Sequence, residues 1–101
     1  MTQAEMMKTQ KVKIIKLKSG DELIAKFGHD SLNHKIVLGQ PMVIQVVMQP
    51  GGKTGIAAMR PWIMSSDDTI FTIDSDEVLT KGKARNEMEK QYLSAVTELS
   101  L

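Results

Sequence analysis

Between Lys35 and Met48 the even-numbered positions are apolar: Ile36, Leu38, Met42, Ile44, Val46 and Met48, interrupted once by Gly39-Gln40-Pro41. Period-two apolarity marks a β-strand, and the series keeps its phase through the interruption. This predicts one long strand bent at Gly39 and Pro41, a bend that lets a small sheet curl and build a core from few residues. Residues 42–48 are apolar on both faces. A five-stranded sheet cannot cover them alone, so a second layer or a neighbouring subunit must do so.

The flanks agree with a sheet. Leu17-Lys18-Ser19-Gly20-Asp21 is a tight-turn sequence, with Gly20 supplying the permissive backbone and Ser19 or Asp21 able to bond it. Glu22 to Phe27 alternates and places Leu23, Ala25 and Phe27 on one face. A polar turn over 28–33 follows. Before it, the strand 12–17 slips in its alternation: Val12 and Ile14 share one face, Ile15 and Leu17 the other. The slip predicts a bulge or strong twist near Ile14-Ile15.

After Met48, residues 49–55 read as a hairpin loop and 56–64 as the return strand, at an edge or bulged where Pro61 cannot donate. Ser65-Ser66-Asp67-Asp68 is an excursion, residues 69–73 resume extended structure, and 77–80 form a last short strand. Asn86, with Glu89 three residues on, resembles a capping box. Met88, Tyr92, Ala95, Val96 and Leu99 then fall on one stripe of a helix over 86–99. Residues 1–10 are polar and too short for a stable helix without packing.

A chain of 101 residues with no internal repeat or linker predicts one domain. Its four aromatics are Phe27, Trp62, Phe71 and Tyr92, and eight methionines supplement them, so the core is aliphatic and adaptable. No apolar run reaches the ~18 residues of a membrane span. The absence of cysteine excludes disulfides and thiolate metal sites and says little else about compartment; a reducing cytoplasm is the default expectation. Net charge is +1, which does not announce a nucleic-acid binder. The charge is uneven, however: basic from Lys8 to Lys18, acidic from Asp67 to Glu77, and basic again at Lys81, Lys83 and Arg85. Such runs are either solvated edges that discourage aggregation or a rim for polyanions.

Motifs for chemistry fail on spacing. Gly52-Lys53-Thr54 lacks the earlier P-loop glycine, because Val47 stands there. A calcium loop starting at Asp74 has Leu79 where glycine is needed and Arg85 where a bidentate glutamate is needed. His29, Asp30 and His34 make an incomplete metal set. No serine sits in a nucleophile elbow. No enzyme and no cofactor are expected.

Leu17 and Gly20, the inward Leu23 and Phe27, the turn carboxylate Asp30, the pair Leu32-Asn33 and the closing Ile36 and Leu38 resemble the first motif of the Sm-like family of ring-forming RNA proteins. Ile73-Asp74-Ser75-Asp76-Glu77-Val78 stands where the second motif would fall, with Asp74 and Ser75 in place of its arginine and glycine. The chain also has Ala25 where glycine is usual and one residue fewer between Asp30 and Asn33. Its helix follows the sheet, and the short versions carried by bacteriophages look most similar. The resemblance covers about residues 12–80.

It implies a strongly bent five-stranded antiparallel sheet, an Sm-like open barrel, with a C-terminal helix. Asn33 would line a base-binding pocket, helped by His29, Lys16, Lys18 and Lys53. Asp74 inverts the charge of the arginine that usually lies there. Trp62, Val78 and Leu79 would lie on edges completed by copies of the same chain, in a ring of roughly five to seven subunits, since closed symmetry removes open edges. Two functions follow: a ring that binds RNA or single-stranded nucleic acid, or a ring that serves as an assembly or protein-interaction module with little nucleic-acid binding.

Overall fold

One strand of twelve residues, Lys35–Val46, organises the molecule. The structure, a computed structural model, describes residues 11–46, 51 and 57–99. The elements in chain order are β1 (Val12–Leu17), β2 (Glu22–Asp30), β3 (Lys35–Val46), β4 (Ala57–Pro61), β5 (Ile70–Asp74), a 3-10 turn (Ser75–Glu77), β6 (Val78–Lys83) and helix α1 (Asn86–Leu99). The expected segment 1–10, loop 49–55 and end of the long strand at Val47 and Met48 lie outside the described residues, apart from Gly51.

The sheet is antiparallel and runs β4-β3-β2-β1-β6, with β5 also on β3. It has six strands, not the expected five, because the fourth is cut in two. β4 pairs with residues 42–46 of β3, and β5 pairs with residues 35–39 on the same side. The cut follows from Pro61, which ends β4, and from the polar run Ser65 to Asp68. Both ends of the excursion are held at one point of β3. The Trp62 amide donates to the Pro41 carbonyl at 3.0 Å, and the Gln40 amide donates to the Thr69 carbonyl at 2.6 Å. The sheet is open: no strand among the described residues pairs with the outer side of β6 or of β4 and β5.

The bend in β3 is where the sequence placed it, but the apolar phase does not survive it. Between Ile24 and Lys26 of β2 stands Ala25 alone, whereas Gln40 and Pro41 both stand between their partners Met42 and Gly39. One extra residue is a β-bulge, and it exchanges the faces of everything beyond it. Gln40 takes a left-handed backbone (φ 49°) to make the step. Ile36, Leu38 and then Val43 therefore line one core with Ile15, Leu17, Leu23, Ala25 and Phe27. Met42 and Ile44 turn to the opposite face with Val12 and Ile24.

The surplus apolar face is covered by α1, the second layer that residues 42–48 called for. Tyr92 and Val96 pack there, with Met88 and Ala95 half-buried beside them. The Tyr92 hydroxyl reaches the Gly39 and Gln40 carbonyls, each at 2.9 Å, so its single proton is shared over the bulge. The helix spans the expected 86–99, but its cap differs: the Glu89 amide donates to the Arg85 carbonyl, making Arg85 the cap and Asn86 the first helical residue.

Two strand boundaries move. β2 continues through Gly28–Asp30, and the turn is 31–34. The last strand runs to Lys83. The predicted bulge at Ile14-Ile15 is absent, since β1 and β2 pair without interruption from Val12 to Lys16. The slipped alternation instead reflects two buried faces: Ile15 and Leu17 join the core away from the helix, while Val12 and Ile14 join the one beneath it. The irregularity lies opposite β6, between Lys16 and Leu17.

Candidate nucleic-acid interface

Asp30, at the end of β2, holds the loop that follows it. Its carboxylate accepts from the Asn33 side-chain amide at 2.8 Å and from the Asn33 backbone amide at 3.3 Å. Short polar side chains close turns in this way. The Asn33 side chain is the main reason the Asp30 carboxyl stays below the usual aspartate range; slight burial opposes it, and the Asn33 and Leu32 amides and nearby His29 reinforce it. A depressed value means the lock is present above that range and is lost as pH falls through it. The Asn33 side-chain amide resonances are therefore expected to shift on acidification below the usual aspartate range, a shift absent in Asp30→Asn. The same acid shift in that variant would contradict the lock.

The bond fixes Asn33 without exhausting it. One N–H goes to Asp30, leaving the carbonyl oxygen and the second N–H for a base edge. Next to it, His34 adopts a left-handed backbone (φ 54°), and its carbonyl accepts from the Ser75 amide at 2.9 Å. Two residues further along the same 3-10 turn, the Glu77 carbonyl accepts from the Lys18 amide, also at 2.9 Å. One short turn thus binds the loops carrying Lys18 and Asn33 together. His29 is exposed at the end of β2, beside this group.

Lys35 and Asp74 stand opposite one another in the ladder and form an ion pair. Their side chains are 41% and 63% exposed, so the pair contributes at most about 1 kcal/mol. Its effect on the site is nonetheless direct, because Asp74 does not face the loops as a bare charge. Asp76 and Glu77 remain exposed.

The other expected residues fall elsewhere. Lys16 lies on the helix-covered face, opposite Glu22 and Thr80, and not with the loops. Lys53 lies outside the described residues. Val78 is half-buried against the core, at the start of the outermost strand β6. Leu79 is 65% exposed. Trp62 packs edge-on to Phe71 (centroids 6.1 Å, 76°), and its indole N–H donates to Asp21 at 3.3 Å. It also lines a groove of about 360 Å3 between the excursion, the bulge and Val96 of α1, rimmed by Ser66, Asp67 and Asp68. Leu32, 91% exposed at the loop tip, together with His34, Lys35 and Ser75, completes the loop cluster. Sequence reasoning named Leu32, His34 and Ser75 within motifs but assigned neither them nor Lys35 to this cluster, since His34 and Lys35 meet Ser75 and Asp74 some forty residues along the chain.

The family model for the Sm-like domain matches residues 14–93, from within β1 to within α1. The chain belongs to the Sm-like family. Such domains typically form ring oligomers and bind RNA. In this Sm-like chain the fourth strand of the sheet is divided, and an acidic turn lies between β5 and β6. No curated protein matches the chain. Among the described residues no helix is long and apolar enough to cross a membrane, and no cluster of three His, Asp or Glu is placed to hold a metal ion.

Proposed function

We propose that this Sm-like protein is a non-catalytic homo-oligomeric ring that binds single-stranded RNA through the joined loops around Asn33. The observation that carries this reading is that the Ser75–Glu77 turn ties the loop holding Asn33 to the loop holding Lys18, with Asp74 paired to Lys35. The free edge of the Asn33 amide suits a pyrimidine, whose imino N–H would donate to the oxygen and whose carbonyl would accept the remaining N–H. Lys18 supplies the phosphate contact. The two open sheet edges favour assembly, since a closed ring removes both at once. We place the chain with the bacteriophage-type members, acting in the host cytoplasm; the lack of cysteine agrees with a reducing compartment.

One observation favours the second reading, an assembly module with little affinity for RNA. Asp76 and Glu77 lie exposed on the turn that joins the loops, and they repel phosphate. Fluorescence anisotropy with oligo-U and oligo-A at about 50 and 200 mM salt separates the two. The RNA ring predicts micromolar binding that weakens severalfold at the higher salt. It also predicts that Asn33→Ala binds about tenfold more weakly while light scattering reports an unchanged oligomer. No binding at the lower salt would leave the assembly module.

A further inference from the structure

The lysine two places beyond Asn33 is held by an acid. Asp30, Lys35 and Asp74 form one row across β2, β3 and β5, since Lys35 is the ladder partner of both aspartates. Asp30 is engaged already: one carboxylate oxygen accepts from the Asn33 side chain and the other from its backbone amide. Asp74 takes the lysine, and theirs is the only ion pair among the described residues. The backbone keeps the two ions together, because the Ser75 amide next to Asp74 donates to the carbonyl of His34, the residue before Lys35. Both side chains nevertheless remain open to water.

We propose that Asp74 is an internal stand-in for a phosphate: its carboxylate occupies the Lys35 ammonium, and a strand bound at the Asn33 loop gains that cation only when a backbone phosphate displaces the carboxylate. This rests on the RNA reading above and names what sets the strength of binding there. Carboxylate and phosphate are both oxyanions, and a lysine ammonium takes either one as a compact point charge. The exchange is within reach, because neither member of the pair is buried. It is also close to balance. A pair this exposed is worth no more than about fivefold in an equilibrium constant, and a phosphate contact at the same ammonium is subject to the same screening by water and salt. In the parent chain the two nearly cancel, so Lys35 adds little and Lys18 carries the phosphate contact. Asp30 cannot take over the role of Asp74 without competing with the two bonds that hold Asn33. Plain repulsion of phosphate by Asp74 would need no lysine, and that difference separates the two explanations.

The test is anisotropy of labelled oligo-U with the full chain, titrated from about 50 to 200 mM salt. Asp74→Asn should bind about fivefold more tightly than the parent at the lower salt. Its affinity should also fall more steeply with salt, by about 0.7 in the log–log slope, the share of one further phosphate on a single strand. Lys35→Gln/Asp74→Asn should return to the parent's affinity and slope, since no cation is left to release. Light scattering and circular dichroism should be the same for all three proteins, because the substitutions fall on an exposed pair. A double variant as tight as Asp74→Asn would mean that Asp74 acts by repulsion alone, and the proposal is overturned. An Asp74→Asn that binds just as the parent does overturns it too, and leaves the RNA reading standing. A parent that binds no oligo-U at the lower salt sinks that reading and this exchange together.

Discussion

Tyr92→Ala is expected to remove about 3–5 kcal/mol of stability, a large share of the roughly 5–15 kcal/mol of a natural domain. The side chain is fully buried, and it touches both things that hold the bend: the apolar face under α1 and the backbone of the bulge. Tyr92→Phe separates the two contributions. It keeps the ring and removes only the hydroxyl, so about 1–2 kcal/mol should be lost as the Gly39 and Gln40 carbonyls give up that donor. Urea denaturation at fixed protein concentration checks both values. Burial pushes the Tyr92 hydroxyl well above the usual tyrosine value, against a smaller opposing backbone contact from Lys26. The folded state thus keeps a proton that the unfolded chain releases near pH 10. The sign follows: stability is full below that pH and declines as pH rises past it. Tyr92→Phe should lack this alkaline decline, and an identical decline in both proteins would refute the assignment.

The second large effect is expected at Leu38. It is fully buried on β3 just before the bulge, within the cluster that contains Leu23, Phe27 and Val43. Truncation to alanine leaves a cavity that strands on both sides cannot close, because their ladders fix their spacing. The expected cost is about 3–5 kcal/mol. Leu32→Ala is the matched control: that side chain is almost wholly exposed, so less than about 0.5 kcal/mol should change. The control should still fold at room temperature, and comparable losses at the two positions would mean that the loop tip, not the strand, carries the packing.

Much of this fold was legible because alternation reports burial wherever one face is wet. Leu23, Ala25 and Phe27 reached the face expected of them, and the helical stripe through Met88, Tyr92 and Val96 covers the sheet. Alternation fails where both faces are dry. Met42 and Val43 are equally apolar, so nothing in their order tells which points to the helix. Gly39-Gln40-Pro41 signals a bend but not whether an extra residue leaves the ladder there, and that single residue decides the side of everything after it. The slip at Ile14-Ile15 misled for the same reason, looking like a bulge when it records a strand buried twice. The loop cluster was half legible. Asp30 and Asn33 are neighbours whose bond follows from their spacing, whereas the approach of Lys18 to His34 runs through Ser75–Glu77 and has no local signal. Lys16 was misplaced by parity alone: one step along β1 puts it on the opposite face from Leu17.

The division of the outer strand has a further consequence. A long, flat, uninterrupted edge invites strands from any chain to stack on it without limit, which is how fibrils grow. Here the edge offers two runs of five residues, β4 and β5, with the 62–69 segment standing out between them. An incoming strand can zip along one run and then meets an obstruction carrying two negative charges. The β4–β5 edge therefore gives a foreign strand no more than five residues to pair with before the ladder stops.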